Sequence, residues 1–104
     1  MFGLETLAEI IDRRSRADAD SSYTRSLLEK GVPRCAKKFG EEATEAVIAA
    51  VAEDDHALVG EAADVLYHLL VMLQSRKVPL AAVMAELESR TAQSGHAEKA
   101  SRPK

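Results

Sequence analysis

The stretch from Ala57 to Leu73, ALVGEAADVLYHLLVML, is apolar at nearly every position and yet carries Glu61 and Asp64. No other feature constrains the chain as tightly. A helix that is apolar all round is normally buried all round, and an ionised carboxylate there is very costly unless it is paired or bound to a metal. At about 100° per residue, Asp64 lies ~60° and His68 ~20° from Glu61, so the three share one stripe of that helix.

The chain around this stretch favours helices. It has 104 residues, no Trp and only 4% aromatics, and its runs of Ala, Leu, Val, Glu and Arg show no strand alternation. An all-α helical bundle of about four to five helices is expected, as a single domain over residues 1–104, with residues from about 93 onward a tail. A net charge of -3 lacks the basic footprint of a nucleic-acid binder, so no nucleic-acid partner is expected, although Lys99, Arg102 and Lys104 make the last residues basic. Cys35 is the one cysteine, and MFGLETLAEIID lacks the basic-then-apolar pattern of a signal peptide; both point to a cytoplasmic protein. No apolar run reaches the roughly 20 residues of a membrane span without an acid interrupting it, so no membrane partner is expected.

Leu4, Leu7, Ile10 and Ile11 fall at helical spacing and predict a first amphipathic helix over residues 4 to about 14. RSRADADSS then reads as a linker, in which Ser21 or Ser22 caps a short helix through Tyr23, Leu27 and Leu28 that stops at Gly31. Pro33 suits the first turn of a long helix running to about Glu53, in which Gly40 is expected to permit close packing or the approach of a ligand. Asp54 or Asp55 caps the next helix, from about His56 to Arg76, and Pro79 opens a last one with Leu80, Val83, Met84 and Leu87.

The very short turn makes the two long helices antiparallel. If it falls between Asp54 and Asp55, Glu45 is level with Asp64, while Glu42 lies about 4.5 Å beyond that level and Glu61 about 4.5 Å short of it, at 1.5 Å per residue. Glu41, Glu42 and Glu45 share an arc of the first long helix with Lys38, so five carboxylates face a common region. Their mutual repulsion calls for something strongly cationic. Oxygen donors without several Cys or His suit a hard divalent ion, Mg2+ with Mn2+ as a substitute, and Mg2+ typically binds a few carboxylates together with substrate phosphates.

EExxE at Glu41, Glu42 and Glu45 followed by ExxD at Glu61 and Asp64 resembles the all-α nucleoside triphosphate pyrophosphatases, the MazG-like superfamily. Within it, SYTRSLLEKG at 22–31, KKFGEEATE at 37–45, EAADVLYHLLVML at 61–73 and SGHAEKASR at 94–102 are similar to the phosphoribosyl-ATP pyrophosphatase family. The resemblance covers nearly the whole chain. It implies Mg-dependent hydrolysis of phosphoribosyl-ATP to phosphoribosyl-AMP and pyrophosphate, the second step of histidine biosynthesis, by a form without the cyclohydrolase that follows in bifunctional versions. By motif, Glu42, Glu45, Glu61 and Asp64 would be metal ligands, and Glu41 a further ligand or the base that orients water. Phe39 and Cys35 depart from the pattern, where smaller or aliphatic residues are usual.

Bland alternatives stand beside each assignment. Glu41, Glu42 and Glu45 alone could form a solvated face, and Glu61 and Asp64 could make buried salt bridges to Lys37 or Lys38. Those lysines could instead meet substrate phosphates. His68 suits packing, or support of a metal ligand, better than direct ligation. The two long helices are apolar on more sides than four short helices can cover, so a homodimer or higher oligomer is expected. The competing functions are a house-cleaning nucleoside triphosphate pyrophosphatase and a non-catalytic helical oligomerisation module.

Overall fold

The computed structural model describes residues 1–19 and 22–92, so the expected tail lies outside the described residues. These contain five helices and no strand: α1 (Leu4–Ser15), α2 (Tyr23–Glu29), α3 (Val32–Ala52), α4 (Asp55–Ser75) and α5 (Leu80–Thr91). The all-α expectation holds. Helix boundaries follow capping chemistry: Ser22 Oγ accepts the Arg25 amide at 3.1 Å to start α2, and Asp54 Oδ1 accepts the Ala57 amide at 2.9 Å to start α4. Gly31 takes φ +90, a left-handed value that lets the chain pass from α2 into α3 with almost no linker.

α3 and α4 form a long antiparallel hairpin, and the other helices are arranged around it. The buried residues of α3 are Cys35, Glu42 and Ala49, spaced by sevens along one seam. On α4, Glu61 and His68 are likewise seven apart. The apolar core sits at the end of the hairpin far from its turn, where Ile11 of α1 and Leu27 of α2 close over Cys35, Leu70 and Val71. Each such aliphatic side chain contributes about 1.5–3 kcal/mol when fully buried.

Polar ties fix the same end. Gln74 Nε2 donates to Asp12 Oδ1 at 3.3 Å, joining α4 to α1. Arg25 Nη1 donates to the carbonyls of Ser15 and Ala17, and Ser22 Oγ donates to the Arg14 carbonyl, which together hold the end of α1 against α2. Toward its turn the hairpin is bare, and Val47, Ile48, Val51 and Val59 are exposed. α5 buries none of its residues, though Leu80 at its start packs on the core. By length and composition alone α4 could cross a membrane; the central helix of a bundle meets the same test.

The structure decides between the two caps left open for α4 and removes one of the two roles open to Gly40. The hairpin turns at Glu53 and Asp54, about one residue earlier than the sequence suggests, because Asp54 rather than Asp55 is the capping residue. Each position of α3 therefore meets α4 about two residues nearer its start, and Glu45 faces Glu61 instead of Asp64. Gly40 is exposed on α3, and a Cβ added there would meet nothing within 4 Å, so no close packing within the described chain explains it. Gly40→Ala is accordingly expected to stabilise the protein by about 1 kcal/mol, the propensity difference between the two residues in a helix interior. Denaturant unfolding tests this, and a loss of stability would mean that another surface packs against this point.

Candidate functional site

Midway along the hairpin, between the apolar core and the bare end, one carboxylate oxygen from each of Glu42, Glu45 and Glu61 lies within 4.8 Å of the others. Glu42 is buried because it occupies the α3 seam, Glu61 is half-buried on the α4 seam, and Glu45 is exposed one turn beyond Glu42. Asp64 is exposed and outside this trio, although its charge reaches both Glu61 and His68. Glu41 is also exposed and turned toward Lys38. Of the five acids on the two stripes, three converge and two stand at the rim.

The trio is electrostatically strained. Burial, the charge of Glu45 and a hydrogen bond with it, and the charges of Asp64 and Glu42 all push the Glu61 carboxyl above its ordinary value. Its Oε2 is shielded from solvent and has no hydrogen-bond partner. An orphaned buried oxygen among converging carboxylates is what a hard divalent cation would satisfy, so the residues fit such an ion.

Two neighbouring groups complete the setting. Lys38, one turn before Glu42, places Nζ 3.2 Å from Glu42 Oε1 and 3.9 Å from Glu41 Oε1. The hydrogen bond with Glu42, helped by the charges of Tyr23, Glu42 and Glu41, holds the ammonium above its ordinary pKa despite partial burial. Lys37 is exposed. His68 is buried and stands edge-on to Tyr67, with ring centroids 4.9 Å apart, and to Tyr23 at 6.2 Å. Burial holds its pKa down against the opposing pull of Glu42 and Asp64, so the imidazole is neutral near pH 7, and its Nδ1 has no hydrogen-bond partner.

Thr24 and Tyr67 share a 2.6 Å hydroxyl hydrogen bond that fixes the ring packed on His68. Neither Thr24 nor Tyr23 stands out in the sequence, because α2 is too short for its periodicity to show which face turns inward; the capping Ser22 just before Tyr23 was the available signal.

A bundle of helices with its carboxylates gathered across one hairpin belongs to the MazG-like all-α class. The model of the phosphoribosyl-ATP pyrophosphohydrolase family matches residues 4–91, and the chain belongs to that family, whose members are hydrolases. The chain is 61% identical over 102 residues to a phosphoribosyl-ATP pyrophosphatase of Cereibacter sphaeroides (strain ATCC 17025 / ATH 2.4.3), covering 98% of this chain and 99% of that one. It is 59% identical over 101 residues to a protein of the same name from Ruegeria pomeroyi, covering 97% and 96%, and 56% identical over 99 residues to one from Azorhizobium caulinodans, covering 95% and 91%.

The raised Glu61 carboxyl has a consequence in the absence of divalent ions. The folded state holds this proton more tightly than the unfolded state, so stability from this group declines as pH climbs from the ordinary value of 4.5 through the raised one. Thermal melts in chelator across that window are expected to show wild type losing more stability with rising pH than Glu61→Gln; parallel curves would contradict the electrostatic reading.

Proposed function

We propose that the chain hydrolyses phosphoribosyl-ATP between its α and β phosphorus atoms, using Mg2+ and water to give phosphoribosyl-AMP and pyrophosphate, in the histidine pathway. The observation carrying this reading is the convergence of Glu42, Glu45 and Glu61 at the hairpin seam, in a chain that matches the named family along most of its length. Glu42, Glu45 and Glu61 would hold the ion, with Asp64 at the rim as a further ligand. The ion, when bound, supplies charge neutralisation and Lewis-acid polarisation of the phosphoanhydride.

The remaining work falls to the protein's own groups. Glu41, exposed beside Glu42, orients the attacking water and accepts its proton. Lys37 and Lys38 offer ammonium groups to the phosphates on the same face of α3. His68, neutral and edge-on to the stacked Tyr23 and Tyr67, keeps the α4 side of the seam rigid behind the acids.

The reading also includes self-association. Val47, Ile48, Val51 and Val59 leave the hairpin apolar and bare toward its turn, Met84 and Leu87 are exposed on α5, and soluble monomers rarely tolerate large apolar patches. A second copy covering the bare end would border the acid trio and exclude water from one side of it. Sedimentation is expected to give a dimer or larger species at micromolar concentration; a stable monomer there would count against this part.

Purified protein with Mg2+ is expected to release pyrophosphate from phosphoribosyl-ATP and to prefer it to ATP, the outcome that separates it from a general nucleoside triphosphate pyrophosphatase. Glu45→Gln or Asp64→Asn should lower kcat by about a hundredfold or more while helix content is unchanged. Retained activity in both variants would remove the assigned roles.

A further inference from the structure

The acid cluster already contains a cation of its own. Lys38 Nζ lies 3.2 Å from Glu42 Oε1, and Glu42 is both the buried member of the converging trio and the one embedded in the helical seam. A carboxylate in that position needs a positive partner at all times. Among the described residues the one ion pair that reaches this acid is that of Lys38, whose ammonium also stands 3.9 Å from Glu41 Oε1. The Lys38 stem is only about one-third exposed, so the ammonium is held over the cluster instead of trailing in solvent.

We propose that Lys38 is the stand-in for the divalent ion: it neutralises Glu42 until the ion arrives, competes with the ion for that carboxylate, and is then released toward the phosphates of the substrate. This inference rests on the proposed metal-dependent reading and deepens it. Two cations cannot share one carboxylate oxygen without repelling each other, so entry of the ion weakens the lysine's hold on Glu42. The displaced ammonium stays tethered to the same turn of α3, on the face where an ion-bound polyphosphate would lie. It is then paired again only when phosphate oxygens are present, which couples ion loading to recognition of the polyanion.

The competition makes opposite-signed demands of one substitution. Lys38→Met keeps helix propensity and the apolar stem while deleting the ammonium. Mn2+ binding without nucleotide, followed by electron paramagnetic resonance, is expected to tighten roughly two- to fivefold in Lys38→Met, in line with loss of one partly exposed charge contact. The rise in melting temperature produced by Mn2+ should grow with it. Pyrophosphate binding to the Mn2+-saturated protein should instead weaken. Arg34→Met, which removes an exposed charge one turn earlier on α3, is the control for net charge and should leave Mn2+ affinity near wild type.

Unchanged or weaker Mn2+ binding in Lys38→Met, or an equal gain in Arg34→Met, would overturn the stand-in role while leaving the proposed activity untouched. Weakening of both Mn2+ and pyrophosphate binding would mark Lys38 as merely structural and overturn it equally. If wild type hydrolyses phosphoribosyl-ATP but binds no Mn2+, the metal-dependent reading fails first and this inference falls with it.

Discussion

A carboxylate built into a helical seam is the constraint around which this molecule is arranged. Cys35, Glu42 and Ala49 repeat at seven-residue spacing along the α3 face that meets α4, so Glu42 stands where hairpin packing would ordinarily put an apolar side chain. Replacing an apolar knob by an acid forfeits burial and adds a desolvation cost. Lys38, one helical turn earlier, offsets part of that cost through a charge-assisted contact at 3.2 Å. The facing seam of α4 compounds the problem instead of relieving it, because Glu61 reaches the same cluster from about one turn away and has one oxygen without a partner. A chain selected for stability alone would not keep this arrangement. A chain that must hold a hard cation between two helices would.

The placement of the cluster follows from how the rest of the chain is distributed. Ile11 and Leu27 seal the far end of the hairpin over Leu70 and Val71, while nothing among the described residues covers Val51 and Val59 near the turn. The acids sit at the boundary between these zones. The covered end supplies rigidity, since cap, core and inter-helix hydrogen bonds all converge there, and the uncovered end supplies access. Because the aliphatic core lies away from the acids along the hairpin, charge can be removed from Glu45 with little effect on what holds the helices together. Glu42 is different: an amide there would leave Lys38 without its nearest counter-ion and would sit in the seam itself.

Much of this was legible from residue spacing. Helix periodicity, the caps at Ser22 and Asp54, and the short turn were enough to bring α3 and α4 side by side and to place acids on facing stripes. Register was not. Choosing between Asp54 and Asp55 as the cap moves the partner of each α3 residue by about two positions, roughly 3 Å along the axis, which decides whether Glu45 meets Glu61 or Asp64. Two adjacent aspartates offer equivalent capping chemistry, so local sequence could not separate them. Gly40 stayed open for a related reason: a glycine inside a helix signals that something is permitted there, but not whether the chain itself supplies the neighbour. The pairing of Thr24 with Tyr67 was not legible because their hydrogen bond joins residues 43 positions apart, a separation no local pattern reports.

On the proposed reading, the same geometry accounts for how an acidic protein would receive a polyanionic ligand. Three carboxylates within 4.8 Å of each other would repel phosphate strongly if they acted alone. On the reading proposed above, a divalent cation would cancel two of those charges, and the Lys38 ammonium, already beside Glu42, would be freed to face the phosphates. Net charge near the ligand then depends on whether the ion is present, not on the protein's overall balance of -3. On the proposed reading the apo site, with Lys38 already beside Glu42, is negative and repels, the loaded site would be close to neutral, and the difference would be made by the ion while Lys38 only turns its charge toward the ligand.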